Sequence, residues 1–477
     1  MRKLLLLIAL TCSVALNAEI KLPSVFGDNM VLQQNSQATI WGKAEPNTQI
    51  TISTTWSKAK VDVFSDENGD WKAKLMTPQA GGPYEISITD GKKLTLKNVM
   101  IGEVWICMGQ SNMDMTMRGF GGQPVEGSAE YIMQANPEIP IRSFRPKKQP
   151  ALEPQWDCPA KWLEHDPYGV ASTSAVSYFF ARQLYECMHI PVGIINVSLG
   201  GSAIEAWMDK ETIEREFPGE FNMEPYETGV LPKTPRYTPG LLYNGMLHSV
   251  IPFTAKGFIW YQGCSNTGRY EQYKRLQPSF VRMLRDAWNN AEMPFYFTQI
   301  APYMYKNPDD REAGFFMWAQ AQTLSEIPHS GMAATHDIGD KVCIHPAKKK
   351  PVGDRLAYLA LTKNYGFDFI SFDTPVPDPD SFEFKDGKAY VAFETDRFGI
   401  SPILKDIEGL ELAGEDRVFY PAVGRVYHSD YKVVEVSSPQ VPEPVAVRYG
   451  MKNWSVATMF NNYGIPVSPF RSDDWEE

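Results

Sequence analysis

Residues 101–364 alternate short apolar runs with helix-like stretches, and this alternation limits the folds open to the chain more than any other feature. The predicted strands are Val104–Met108, Val192–Val197, Gly257–Tyr261, Phe295–Ile300 and Met332–Thr335. The predicted helices are Ser174–His189, Tyr270–Asn289, Ala319–Glu326 and Val352–Asn364. Such alternation is typical of a parallel sheet with helices on both faces. We therefore predict an α/β domain at residues 100–366.

Strand-like segments flank this domain on both sides. Between residues 19 and 99, short alternating runs are separated by turn signals such as Asp90-Gly91, which predicts an accessory β-sandwich. Residues 367–477 again contain candidate strands, among them Ala389–Phe393 and Val445–Tyr449, and we expect a β-rich C-terminal segment. Met208–Pro239 is rich in Pro, Glu and Gly, which predicts a loop insertion that shapes a pocket.

The N-terminus resembles a secretory signal and sets the expected compartment. In residues 1–18, Arg2-Lys3 is followed by apolar Leu4–Leu10 and then small residues ending at Ala18. No later segment has the length and apolarity of a membrane span, so we expect a secreted or periplasmic protein. Disulfides are permissible there, and of the six cysteines five lie beyond residue 18. The net charge of -11 and the lack of long basic runs give no indication of nucleic-acid binding.

The first candidate for chemistry is Ser111 in the run Gly109-Gln110-Ser111-Asn112-Met113, which directly follows the predicted strand Val104–Met108. A serine just past a strand end, with a glycine before it, can lift its Oγ into a cleft as a nucleophile. An ordinary turn explains the same run. The hypothesis therefore depends on partners elsewhere in the chain.

Candidate partners also follow strand ends. Among the seven histidines, His345 lies in a loop after the last predicted strand and His336 ends that strand. Histidine is the usual general base near neutral pH. Gly200 and Gly201 follow Val192–Val197, where backbone N–H groups can approach a ligand. Two side-chain amides that could donate hydrogen bonds follow Gly257–Tyr261, namely Gln262 and Asn266.

Taken in order, these elements resemble the sialate O-acetylesterase family of the SGNH (GDSL-like) hydrolases. The resemblance covers nearly the whole chain beyond residue 18. It is carried by five blocks: Val25–Gln33, Gly102–Met113, Gly200–Trp207, Trp260–Asn266 and Asp337–Pro346. The resemblance implies that residues 100–366 form the SGNH catalytic domain, with an SGNH-type parallel sheet.

The resemblance also implies a mechanism. Ser111 attacks an acetyl carbonyl, and His345 acts first as base and then as acid. The N–H groups of Ser111 and of Gly200 or Gly201 hold the oxyanion, together with a side-chain amide from Gln262 or Asn266. No metal or organic cofactor is implied, and no two cysteines have the C-x-x-C spacing of a zinc site.

The sequence departs from the family at two acidic positions. The family has an acid two residues before the histidine, where this chain has Cys343, and a glutamate in its third block, where this chain has Cys264. One hypothesis is a Cys264–Cys343 disulfide that fixes the histidine loop; the alternative is two unrelated thiols. The acid itself could be replaced by Asp337, Asp340 or a backbone carbonyl.

The expected function is a secreted carbohydrate O-acetylesterase that acts on sialic acids or related acetylated glycans. The partner implied is an acetylated glycan, with no nucleic acid and no membrane span. Two alternatives stay open at this stage. One is an acetylxylan-type esterase, and the other is a glycan-binding protein on a disabled hydrolase scaffold, suggested by the two missing acids.

Overall fold

The structure is a computed structural model that describes residues 19–475. The expected secretory signal, residues 1–18, lies outside the described residues. Within residues 19–475, no helix is both long and apolar enough to cross a membrane.

The elements are numbered in chain order. The strands are β1 (Val31–Gln33), β2 (Gln37–Lys43), β3 (Gln49–Thr54), β4 (Ser57–Phe64), β5 (Asp70–Met76), β6 (Gly81–Thr89), β7 (Lys93–Gly109), β8 (Ile141–Phe144), β9 (Trp162–Leu163), β10 (Val192–Ser198), β11 (Gly257–Tyr261), β12 (Phe295–Thr298), β13 (Ser330–Ala333), β14 (Val376–Lys385), β15 (Lys388–Glu394), β16 (Ile400–Ser401), β17 (Ile407–Ala413), β18 (Tyr420–Val426), β19 (Val433–Ser437), β20 (Ala446–Tyr449), β21 (Phe460–Asn461) and β22 (Phe470–Arg471). The α-helices are α1 (Ser111–Asp114), α2 (Ser128–Met133), α3 (Pro167–Ser172), α4 (Ala175–Met188), α5 (Lys210–Glu216), α6 (Glu224–Thr228), α7 (Tyr270–Ala287), α8 (Glu312–Gln322) and α9 (Lys350–Asn364).

The predicted α/β class is confirmed, and its central sheet is mixed. Strands β8, β10, β7, β11, β12 and β13 pair in that order, and every one of these pairings is parallel. Strand β9 adds an antiparallel edge beside β8. Strand β7 also runs antiparallel to β6 in the N-terminal sheet. The expected parallel sheet therefore holds for these six strands, and the pairings of β9 and β6 make the whole sheet mixed.

The parallel strands are apolar because both faces of the sheet are covered. Alternate residues of β7 point to opposite sides, so Ile106 joins the core under α7, while Trp105 joins the core under α4 and α9. Helix α4 begins where the Ser174 hydroxyl accepts the Ser177 N–H, and it ends at His189 in the left-handed conformation.

The flanking segments are β-rich, as their turn-separated runs predict. At the N-terminus β4, β3, β6 and β7 form an antiparallel sheet, and β2 pairs with β5. Strand β7 continues from this sheet into the central one, across the predicted boundary at residue 99. At the C-terminus β14, β15, β19, β18, β17, β20 and β22 form one antiparallel sheet. The Met208–Pro239 insertion contains α5 and α6.

Candidate active site

Three neighbouring parallel strands end at the same level and bring three of the predicted loops together. Gly109 at the end of β7 pairs with Ser198 of β10 on one side and with Tyr261 of β11 on the other. Gly109 has φ +146°, and a Cβ on it would lie 2.2 Å from the Tyr261 carbonyl oxygen. Only glycine fits this approach, and it lets the chain turn sharply into α1.

The structure places Ser111 and His345 in direct contact. Ser111 is the first residue of α1, and its Oγ lies 2.8 Å from Nε2 of His345. Asn112 holds the two segments in register, since its Nδ2 donates to the Ile344 carbonyl at 3.0 Å and its Oδ1 accepts from Lys349. Two residues that are 234 positions apart thus form the pair a serine nucleophile needs.

The other nitrogen of the His345 ring contacts a residue that the sequence analysis missed. Gln123 Oε1 lies 2.7 Å from His345 Nδ1, and the Phe120 ring packs edge-on against the imidazole with 5.2 Å between ring centroids. An amide oxygen accepts only, so Nδ1 carries the proton and Nε2 is free to accept from Ser111. No motif marks Gln123, and the doublet Gly121-Gly122 was the one local signal of a turn there.

The surroundings of His345 favour the neutral imidazole. Burial lowers the pKa of His345 below its ordinary value of 6.5, and the positive charge of Lys349 acts in the same direction. A neutral ring is the form that can accept the Ser111 proton. The neutral imidazole is therefore the main form of His345 at neutral pH.

The glycine loop after β10 lies beside Ser111. A Cβ on Gly200 would be 3.6 Å from the Ser111 Cβ, while Gly201, with φ +71°, lies against the Arg236 side chain. Within residues 19–475, no acceptor is hydrogen-bonded to the backbone N–H of Ser111 or of Gly200. Both N–H groups are thus available at the same edge of the cleft.

The structure separates the two predicted side-chain oxyanion donors. Gln262 is fully buried, and its Nε2 already donates to the Ser202 carbonyl at 3.0 Å and to Asn266 Oδ1 at 2.7 Å. Both hydrogens are in use, so the expectation of Gln262 as an oxyanion donor does not fit the structure. Asn266 Nδ2 makes one bond, to Glu205 at 3.0 Å, and keeps its second hydrogen.

Neither aspartate proposed as a substitute acid contacts His345. Asp337 forms a two-pronged ion pair with Arg355, with both oxygens 2.7 Å from guanidinium nitrogens. Asp340 accepts the N–H groups of Val342 and Cys343 in its own loop. Both carboxylates are engaged elsewhere, so Gln123 holds the position that the sequence analysis expected an acid or a carbonyl to hold.

His336, the second candidate base, is not part of this site. Its Nε2 lies 2.7 Å from the Ser455 hydroxyl, and complete burial lowers its pKa to about 4. Such a histidine is a neutral core residue between the central sheet and the C-terminal sheet.

The predicted Cys264–Cys343 disulfide is wrong in this structure, where both cysteines are free thiols. Each sulfur is engaged separately. Cys343 Sγ donates to the His345 carbonyl at 3.3 Å, and burial raises the pKa of the Cys264 thiol to about 11. Each of the two cysteines raises the pKa of the buried Lys349, against the larger effect of burial.

Within the described part of the chain, no group of three or more His, Cys, Asp or Glu side chains is arranged to hold a metal ion. The groups around Ser111 are of the kinds that acyl transfer uses: a hydroxyl, an imidazole and free N–H donors.

Comparisons with known proteins agree on one kind of relative. The model of a family described as carbohydrate esterase, sialic acid-specific acetylesterase matches residues 101–362. Mouse sialate O-acetylesterase is 25% identical over 529 aligned residues, covering 98% of this chain and 97% of the mouse protein. The human sialate O-acetylesterase is 26% identical, with 74% and 73% covered. A solved carbohydrate acetylesterase from Xanthomonas citri is 31% identical with a TM-score of 0.86, covering 96% of this chain and 100% of that one.

Proposed function

Since the chain belongs to the sialic acid-specific acetylesterase family of carbohydrate esterases and is a carboxylic ester hydrolase, we propose that it removes acetyl groups from sialic acids or related acetylated glycans. In this proposal Ser111 is the nucleophile. The observation that carries the proposal is the 2.8 Å contact between Ser111 Oγ and His345 Nε2 at the carboxyl end of three parallel strands. We further propose that residues 100–366 form an SGNH-type catalytic domain.

The first half of the reaction follows from the hydrogen bonds. Ser111 Oγ attacks the acetyl carbonyl carbon while its proton moves to Nε2 of His345. The N–H groups of Ser111 and Gly200, with the remaining N–H of Asn266, stabilise the negative oxygen that forms. Nε2–H of His345 then protonates the departing sugar oxygen, which leaves as the free hydroxyl. The acetyl group is now bonded to Ser111.

The second half repeats these steps with water. His345 Nε2 takes a proton from a water molecule that attacks the acetyl carbon, and the same N–H donors stabilise the second tetrahedral oxyanion. The proton returns to Ser111 Oγ as the ester bond breaks, and acetate is released. Every proton is transferred through Nε2, so Nδ1 keeps its hydrogen throughout.

The test is acetate release from a panel of O-acetylated sialic acids and acetylated xylans. We expect release from the sialic acids, and Ser111→Ala to abolish it while the exposed Ser57→Ala leaves it unchanged. Preference for xylan would overturn the substrate assignment. A wild-type protein that binds glycans without releasing acetate would overturn the enzymatic proposal altogether and favour a binding protein.

We also propose that the chain is exported, because residues 1–18 have the basic, apolar and small-residue segments of a secretory signal. Mass spectrometry of the mature protein from its native host tests this proposal. The expected N-terminus is Glu19. A protein that retains residues 1–18 and stays inside the cell would contradict it.

A further inference from the structure

The segment that carries Gln123 is a tight hairpin fixed against the histidine loop. Phe120 and Gln123 exchange both backbone hydrogen bonds, at 2.9 and 3.0 Å, around the Gly121-Gly122 doublet. Gly119 has φ +75°, and a Cβ there would lie 2.3 Å from the Gln123 carbonyl oxygen. The backbone at Gln123 is therefore strongly constrained.

A further bond ties this hairpin to the segment that carries the base. The Glu126 N–H donates to the Ala347 carbonyl at 2.9 Å, two residues beyond His345. The Phe120 ring and the Gln123 amide then meet the imidazole from two directions. The ring cannot rotate away from Ser111 without breaking the Nδ1 contact and the aromatic contact together.

We propose that Gln123 is the positioning residue of His345, and that its amide oxygen takes the place of the carboxylate absent at Cys343; this inference rests on the proposed function. The amide fixes the tautomer in which Nδ1 bears hydrogen and Nε2 accepts from Ser111. Unlike a carboxylate, it adds no negative charge. The Gln123 amide therefore keeps the His345 ring oriented, but it does not stabilise the imidazolium as a negative charge would.

Charged groups on the surrounding elements do not restore that charge. Lys349 at the start of α9 is the cation that acts on the ring. The carboxylates nearby are engaged with other partners: Asp340 with its own loop, and Asp114 with Arg145 and Lys148. The exposed Glu126 contributes its backbone N–H to the histidine loop. The Cys343 thiol donates to a carbonyl and supplies no acceptor for Nδ1.

The test compares two near-isosteric variants, Gln123→Leu and Gln123→Glu, with Gln134→Leu as a matched control at the exposed residue that follows α2. The readouts are kcat, KM and the pH profile of kcat/KM on a chromogenic acetyl ester, with Tm as a check on folding. For Gln123→Leu we expect kcat to fall by about 10- to 10³-fold with KM within about twofold, less than the roughly 10⁴-fold cost of disabling a triad carboxylate.

Gln123→Glu supplies the readout that a merely structural role would not move. A carboxylate at Nδ1 stabilises the imidazolium, so we expect the acidic limb of the profile to move up by about 1 pH unit or more. The proposal is overturned if that limb does not move, or if Gln123→Leu retains kcat within about threefold of wild type. Activity that survives Ser111→Ala would instead contradict the proposed function, so the two failures are distinguishable.

Discussion

Lys349 is a buried cation whose removal should change how stability depends on pH. It is 1% exposed, and its ammonium group donates to Asn112 Oδ1. No salt bridge to it exists within residues 19–475. Burial lowers its pKa from 10.5 to about 7, against the smaller opposing influence of Cys264 and Cys343. The perturbation we consider is Lys349→Met, which keeps the length of the side chain and removes the charge.

The magnitude follows from linkage. A shift of one pKa unit corresponds to about 1.4 kcal/mol. Lowering the pKa of Lys349 from 10.5 to about 7 therefore destabilises the folded state by about 5 kcal/mol at a pH where the lysine is protonated in both the folded and the unfolded state. The unfolded chain binds the proton more tightly, so this cost grows as pH falls from 10.5 to 7 and is complete below 7. Between pH 9 and pH 7 it grows by about 2 kcal/mol. Lys349→Met removes the cost of the buried charge. It also leaves Asn112 Oδ1 without its donor, which lowers the free energy of unfolding by about 1–3 kcal/mol at any pH.

The assay is urea unfolding of the wild type and Lys349→Met at pH 7, 8 and 9, with the exposed Lys348→Met as control. From pH 7 to pH 9 we expect the free energy of unfolding of the wild type to rise by about 2 kcal/mol relative to that of Lys349→Met. The free energy of unfolding of Lys348→Met should change with pH in the same way as that of the wild type. A stability difference between wild type and Lys349→Met that stays constant across the three pH values would refute the reasoning, because a lysine charged throughout cannot produce the slope.

Three further outcomes are expected. The pKa of His345 lies below 6.5, and because only the neutral ring accepts a proton, the midpoint of the acidic limb of kcat/KM should lie below pH 6.5; a midpoint above that value would contradict this. Alkylation of denatured protein without reductant should label both Cys264 and Cys343, as peptide mass mapping can show. Gly109→Ala should lower the free energy of unfolding by at least about 2 kcal/mol in urea titrations, whereas Gly91→Ala, also at positive φ but in open space, should cost less.

Hydrophobic pattern predicted most of the local elements, but it placed the start of α8 (Glu312–Gln322) seven residues too late, at Ala319. Helices predicted at Ser174–His189 and Tyr270–Asn289 appear as α4 and α7 with nearly the same bounds. The segment Val104–Met108 was predicted as a separate strand, and the structure extends it back to Lys93 as β7. Met100–Gly102 of β7 pairs with β1, a contact between distant residues that no local pattern records.

The proposed nucleophile and its histidine were accessible to sequence reasoning because strand ends mark loops that meet at one edge of a parallel sheet. Gln123 was not accessible, because it lies in a hairpin between short helices and not at the end of a strand of the parallel sheet. A carboxylate would have attracted attention as a charged candidate. A neutral amide carries no such signal, since most glutamines are surface residues.

One electrostatic effect links the two cysteines that replace the family's acids with Lys349 and Gln123. Carboxylates at positions 264 and 343 would hold Lys349 fully charged, because a nearby opposite charge raises the pKa of a lysine. Thiols there leave its pKa at about 7, so Lys349 is partly neutral at that pH. Less positive charge then opposes the imidazolium that forms when His345 takes the Ser111 proton. A histidine oriented by Gln123 has no carboxylate to offset such a charge, so a Lys349 that is partly neutral near pH 7 opposes the imidazolium less than a fully charged lysine would.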